Sequence, residues 1–169
     1  ILAYEPYLDI SLFDDEKAKG KEILTKLVGQ DNINDRTIIG IFRDARYEKK
    51  IADDYWLEYI YKLFGAGHGY IFVDIIAPGG KALSDDILSI SFVNLRELAS
   101  FMAALDFFIC ADTGPMHLAS AAKTNIIALF NKTSPEAYGP LGKNDRVIDI
   151  NNKNLDEVLA ETVSILNIF

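Results

Sequence analysis

Apolar positions in this chain switch repeatedly between a helical and an extended spacing, and the switches mark its elements. From Asp14 to Val28 the spacing is helical, with Ile23, Leu24, Leu27 and Val28 on one face. Gln30 to Asp35 is polar and reads as a loop. Thr37 to Phe42 is a short apolar, β-branched run, which predicts a buried strand. Asp53 to Phe64 is helical again: an aspartate starts it, Trp56, Leu57, Ile60 and Leu63 form its stripe, and Gly65 ends it. Tyr70 to Ile76 predicts the second strand, closed by Pro78-Gly79-Gly80. Asn94 is a good N-cap with Glu97 three residues on, and it opens a helix reaching Leu105. Phe107 to Cys110 then reads as a strand, Pro115 to Ala122 as a helix and Ile126 to Phe130 as a strand. Val147 to Ile150 and Leu155 to Leu166 read as a last strand and a closing helix.

Strands separated by helices pair in parallel through right-handed crossovers, with helices on both faces. The predicted fold is therefore a Rossmann-like α/β layer. Residues 1–35 are expected to be a lead-in or connection with one helix, and residues 36–169 the domain proper. At 169 residues with 50% hydrophobic content, the chain can bury a sizeable core. The opening residue is Ile1 rather than Met, which leads to the expectation of a fragment.

A formal net charge of −8 disfavours nucleic acid as partner, because phosphate backbones need a surplus of Lys and Arg. A single cysteine excludes an internal disulfide, and Cys110, on an apolar strand, reads as an inert core thiol. No apolar run reaches the roughly 18 residues needed to cross a bilayer. No Cys/His set has metal spacing, and no cofactor is implied.

Chemistry concentrates where the Phe107 to Cys110 strand runs into Asp112-Thr113-Gly114-Pro115-Met116-His117. In an open α/β sheet ligands bind outside the carboxyl ends of strands, and a helix start there attracts anions. Taken alone, the run is equally good helix-start chemistry, since Asp and Thr cap, Gly turns and Pro favours the first turn. Arg43, Arg46, Lys49 and Lys50 outnumber Asp44 and Glu48 in the segment directly after the first strand. Such a loop suits a diphosphate or is simply solvated. Asn131-Lys132-Thr133-Ser134-Pro135 is a further polar strand end and by itself a weak signal. Gly65-Ala66-Gly67-His68-Gly69 follows a helix and precedes a strand, the reverse of a phosphate-cradling loop, so it reads as a turn with His68 exposed.

The run from Asn94 to Pro140 resembles the C-terminal half of glycosyltransferase family 9, the ADP-heptose:lipopolysaccharide heptosyltransferases. The matching pieces are Leu95-Arg96-Glu97-Leu98-Ala99, the block Asp112-Thr113-Gly114-Pro115-Met116-His117-Leu118-Ala119, Ala128-Leu129-Phe130 with Thr133-Ser134-Pro135, and Gly139-Pro140. Ile39 to Phe64 matches more loosely, with Lys49 seven residues before Trp56, where the family has a donor-binding lysine.

The resemblance implies one half of a GT-B fold, the nucleotide-sugar-binding domain, with the acceptor domain and its catalytic base outside this chain. It implies donor contacts from Asp112, Thr113, Gly114, His117 and Lys49, with no catalytic residue in this chain and no metal; Pro115, Met116, Thr133 and, on its charge and place after the first strand, Arg43 complete the expected donor-binding set. The implied partners are ADP-heptose or a related donor and a lipopolysaccharide-type acceptor. The implied place is the cytoplasm, peripheral to the inner membrane. The full-length protein would be a glycosyltransferase and this chain alone inactive.

Several positions depart from the family pattern: Phe42 for a histidine, Asp44-Ala45 for small hydroxyl residues, Lys123 and Asn125 for Gly and Pro, and Asn131 for Gly. Lys81-Ala82 stands where an acidic residue is expected. These departures favour a member with a different donor sugar or nucleotide over a standard heptosyltransferase, and they keep a second reading open, a non-catalytic, degenerate Rossmann-like binding module.

Overall fold

The computed structural model describes residues 8–67, 69–131 and 145–168. Its strands are β1 (Thr37–Phe42), β2 (Tyr70–Ile76), β3 (Leu88–Ser91), β4 (Phe107–Ala111), β5 (Ile126–Phe130) and β6 (Arg146–Asp149). Its helices are α1 (Asp14–Val28), α2 (Gln30–Asp35), α3 (Asp53–Gly65), α4 (Leu95–Ala104), α5 (Gly114–Ala121) and α6 (Leu155–Leu166), with a 3-10 turn at Tyr47–Lys49. The strands form one sheet in the order β3-β2-β1-β4-β5-β6, and every neighbouring pair is parallel. This is the doubly wound Rossmann-like arrangement expected from the alternation, and it has its switch of direction between β1 and β4.

Side-chain alternation along the strands builds two cores. Ile38 and Phe42 of β1 join Phe108 and Cys110 of β4 under α1, α4 and α5. Ile39 and Ile41 join Ile109 and Ala111 under α3 and α6. Trp56, fully buried, stands edge-on to Tyr59 with ring centroids 5.8 Å apart. The Tyr59 hydroxyl shares a 2.9 Å hydrogen bond with Thr162, tying α3 to α6.

Two sequence expectations are corrected. Gln30–Asp35 is a short helix, not a loop. Local bonds hold it: Ile33 N–H donates to the Gly29 carbonyl at 3.1 Å and Asn32 Nδ2 to that of Val28 at 2.7 Å. Gly29, at φ +94°, turns the chain out of α1 and so separates the two helices. The sequence also left β3 unassigned. It is an edge strand with most of its residues exposed, so it lacks the apolar run that marks the central strands.

Helix α1 belongs to the sheet's cover, because Leu24 and Val28 share a core with Ile38, Phe101 and Phe108. Gly20 lets it approach α4 backbone to backbone: a Cβ there would overlap the Ser100 carbonyl. At their N-termini the two helices are joined by Arg96, whose Nε and Nη2 each donate to Glu16 at 2.7 Å. The Glu16 carboxylate also accepts the Phe13 N–H at 3.0 Å. The Arg96 hydrogen bonds, aided by that N–H, hold the Glu16 carboxyl at about 2 against an ordinary 4.5.

A carboxyl depressed in the folded state stabilises above its unfolded pKa, and the benefit is lost as pH falls through the folded value. The stability advantage of the wild-type chain over Arg96→Ala is therefore expected to hold near neutrality. It should shrink between pH 4.5 and about 2. Thermal unfolding across that range tests it, and a gap independent of pH would refute the linkage.

Candidate functional site

In such sheets ligands bind in a crevice at the strands' carboxyl ends where the strand order switches, here between β1 and β4. Phe42 and Cys110 are paired in register there, so the segments that follow them leave side by side. The first is the loop from Arg43 to Ala52, and the second is the turn into α5. Cys110 is fully buried, and burial together with the nearby Asp112 pushes its thiol well above the ordinary range, as an inert thiol requires.

Asp112 is only 6% exposed, and its Oδ2 lies 3.1 Å from Lys49 Nζ. Among the described residues no well-directed hydrogen bond reaches that oxygen, so charge proximity is what the two groups share. The 3-10 turn at Tyr47–Lys49 delivers the lysine across the crevice. Asn131, just past β5, donates from Nδ2 to the Glu48 carbonyl at 3.3 Å and fastens the same turn from the other side. Thr133 lies outside the described residues.

Thr113 has an extended backbone (φ −153°, ψ 162°) and is the N-cap of α5, yet its side chain makes no capping hydrogen bond. Its hydroxyl is thus not committed to the helix. Gly114 begins α5, and a Cβ built there meets nothing within 4 Å. The fold itself does not require glycine at this position. Pro115, next in the first turn, removes one donor, and the Met116 N–H is taken by the Thr113 carbonyl at 3.2 Å. The Met116 side chain is fully buried in the core, so it faces inward from the crevice. His117 is exposed, and among the described residues it has no hydrogen bond or ion pair.

Arg43 is directed elsewhere. Its guanidinium forks onto Asp74, Nε to Oδ1 at 2.9 Å and Nη2 to Oδ2 at 3.1 Å. It also donates to Asp53 Oδ1 at 2.8 Å and to the Lys81 carbonyl at 2.7 Å. Burial opposes the Arg43 charge, but the two carboxylates outweigh it and hold its pKa above the ordinary value. This cluster borders a cleft of ≈ 310 Å³ lined by Lys50, Gly79, Gly80 and Lys81 among others. Asp74 was not singled out from the sequence, and Asp53 was read only as a helix start. The available signal was a carboxylate inside the apolar strand Tyr70-Ile71-Phe72-Val73-Asp74-Ile75-Ile76, which is tolerated there only when paired.

Among the described residues no helix is long and apolar enough to cross a membrane. No group of three His, Cys, Asp or Glu side chains among them is arranged to hold a metal ion.

Comparison with known proteins agrees with the fold and with the second half of the chain. Residues 88–164 match the model of glycosyltransferase family 9 (heptosyltransferase), so the segment from β3 to α6 carries that family's pattern. No curated protein matches the chain by sequence. Among solved structures, a family 9 glycosyl transferase from Veillonella parvula DSM 2008 superposes with a TM-score of 0.76 at 18% identity, covering 98% of this chain and 56% of its own. The ADP-heptose LPS heptosyltransferase II of E. coli gives 0.70 at 18% identity over 94% of this chain and 53% of that one. E. coli heptosyltransferase WaaC, solved with ADP, gives 0.64 at 20% over 86% and 48%. The chain therefore spans about half the length of these proteins and has the Rossmann-like fold of one half of a heptosyltransferase-type GT-B structure.

Proposed function

We propose that this chain, whose β3 to α6 segment carries the family 9 heptosyltransferase pattern, is a nucleotide-sugar donor-binding unit of a glycosyltransferase. The observation that carries the reading is the Lys49–Asp112 pair across the β1/β4 switch point, its aspartate opening the Asp112-Thr113-Gly114-Pro115-Met116-His117 block. A relative of this fold is known with ADP and with an ADP-heptose analogue bound.

The chemistry of the site suits a leaving nucleoside diphosphate. Negative charge grows on the diphosphate as the glycosyl bond breaks, and a preplaced cation with a helix N-terminus stabilises it. Lys49 supplies the cation, and the Gly114 N–H and the α5 dipole supply the helix end. Asp112, beside that cation, is an acceptor suited to a sugar hydroxyl. The Thr113 hydroxyl and the exposed His117 flank the same space. Gly114 gives close passage, which explains a glycine that the fold leaves free.

The full-length protein is proposed to transfer a sugar, ADP-heptose being the favoured donor, to a lipopolysaccharide-type acceptor at the cytoplasmic face of the inner membrane. The acceptor site and catalytic base are proposed to belong to the other half. On its own the chain would bind the donor and transfer nothing.

Calorimetry with ADP, UDP, GDP and their sugar conjugates tests the donor site. ADP is expected to bind the wild-type chain and His117→Ala to weaken it about tenfold or more, while Asp112→Ala is expected to weaken the ADP-sugar conjugate by about the same factor. Binding by no nucleotide, or equal binding in both variants, would sink the assignment in favour of the degenerate module.

A further inference from the structure

We propose that Arg43, Asp74 and Asp53 form a clasp that positions Lys49, so that Asp74 and Asp53 are positioning residues of the donor site although neither lies against Asp112. The proposal rests on the donor-site reading for its functional half.

The loop from Arg43 to Ala52 has Arg43 at its start, and Asp53, the first residue of α3, follows directly at its end. The 2.8 Å bond between Arg43 Nη1 and Asp53 Oδ1 therefore closes the loop at its base. Asp74, 1% exposed, sets the direction of the guanidinium by taking both its Nε and its Nη2. Asp74 Oδ2 also accepts the Leu83 N–H at 3.0 Å, and Arg43 Nη2 reaches the Lys81 carbonyl. One ion cluster thus joins the end of β2, the segment after it, and both ends of the loop.

At the far side, the same loop touches the crevice twice, by Lys49 on Asp112 and by the Glu48 carbonyl on Asn131. Neither contact is strong alone: the Lys49 side chain is 35% exposed, and the Asn131 bond is long at 3.3 Å. A lysine on a flexible stem is a poor anchor, because each ordered rotamer carries an entropy cost. With its base pinned by a forked, largely buried guanidinium, the loop has few alternative courses, and Lys49 is held over Asp112 before any ligand arrives. Such preorganisation separates a charge that merely lies nearby from one that contributes affinity. It also accounts for Arg43 at a position where a small residue would leave the loop open.

The test combines amide hydrogen exchange with ADP calorimetry on the 169-residue chain. Asp53 is 58% exposed in its pair, so Asp53→Asn is expected to leave Tm within about 3 °C of wild type. It should nevertheless raise exchange across residues 44–52 and weaken ADP about tenfold. Arg43→Lys keeps the charge and loses the fork, and it should act in the same direction. Asp74→Asn should also do so, with a lower Tm. Asp54→Asn, beside Asp53 on the same helical turn, is the control and should change neither readout.

Unchanged exchange across 44–52 in Asp53→Asn and Arg43→Lys would overturn the clasp, whatever happens to Tm. Faster exchange with unaltered ADP affinity would overturn the positioning role. If the wild-type chain binds no nucleotide, the donor-site reading and the functional half fail together, while the exchange data still decide the clasp.

Discussion

Gly20→Ala is expected to lower the unfolding free energy by about 3 kcal/mol, net of the roughly 1 kcal/mol that alanine gains in helix propensity. The reason is what the new methyl would meet. A Cβ at Gly20 overlaps the Ser100 carbonyl and lies 2.8 Å from the Phe101 amide nitrogen, both main-chain atoms of α4. A side chain in the way can rotate, but a helix backbone can only translate. Moving α4 from α1 would disturb Phe101 and Met102 at the centre of one core. For a chain of this size that loss corresponds to a Tm drop of about 10 °C. Gly65→Ala is the control: a Cβ there meets nothing within 4 Å, and the residue lies at the end of α3. It is expected to be neutral or slightly stabilising. Circular-dichroism melts of both variants check the pair. A Gly20→Ala chain melting with wild type would show that α1 does not lie against α4 in this way.

How much of this was legible in the sequence depended on what each segment buries. β1, β2, β4 and β5 each have both faces covered, so their apolar runs are continuous and their bounds were readable to within a residue. β3, one neighbour short and mostly exposed, gave no such signal. α2 was missed because its helix depends on local bonds from Asn32 and Gly29 and not on an apolar stripe. Asn94 was different, since an Asn at a helix start states its purpose, and its side chain accepts the first-turn N–H groups of Arg96 and Glu97. Asn154, which was not read as a cap, does the same for Glu157.

For the site, Asp112 to His117 stood out as a strand end joined to a helix start. The meeting of Lys49 with Asp112 did not follow from spacing, because it depends on β1 and β4 being sheet neighbours. Arg43 was expected among the donor contacts on its charge and its place after β1. A guanidinium answers to whichever carboxylates the fold brings near, and here those are Asp74 and Asp53. Lys123 has φ +65°, a conformation that glycine adopts more readily, and its Nζ bonds to the Leu8 carbonyl at 2.9 Å.

Lys49→Ala is expected to weaken ADP binding about 100-fold, close to 2.7 kcal/mol, because it removes the cation facing the diphosphate. The same change should destabilise the free chain. Asp112, 6% exposed, would be left as a nearly buried carboxylate without its charge partner, at a cost of about 2 kcal/mol given the lysine's partial exposure. Asp112→Asn keeps the side chain's shape and removes the charge, so it should cost about 1 kcal/mol or less. The double variant Lys49→Ala/Asp112→Asn separates the two effects. Its stability should recover to within about 1 kcal/mol of wild type, since no unpaired charge remains. Its ADP affinity should stay near that of Lys49→Ala, since neutralising Asp112 restores no cation. Chemical denaturation and calorimetry on the four proteins give both cycles. Recovery of ADP affinity along with stability would mean that Lys49 serves the fold alone, and the anion at the β1/β4 switch point would then need another counter-charge.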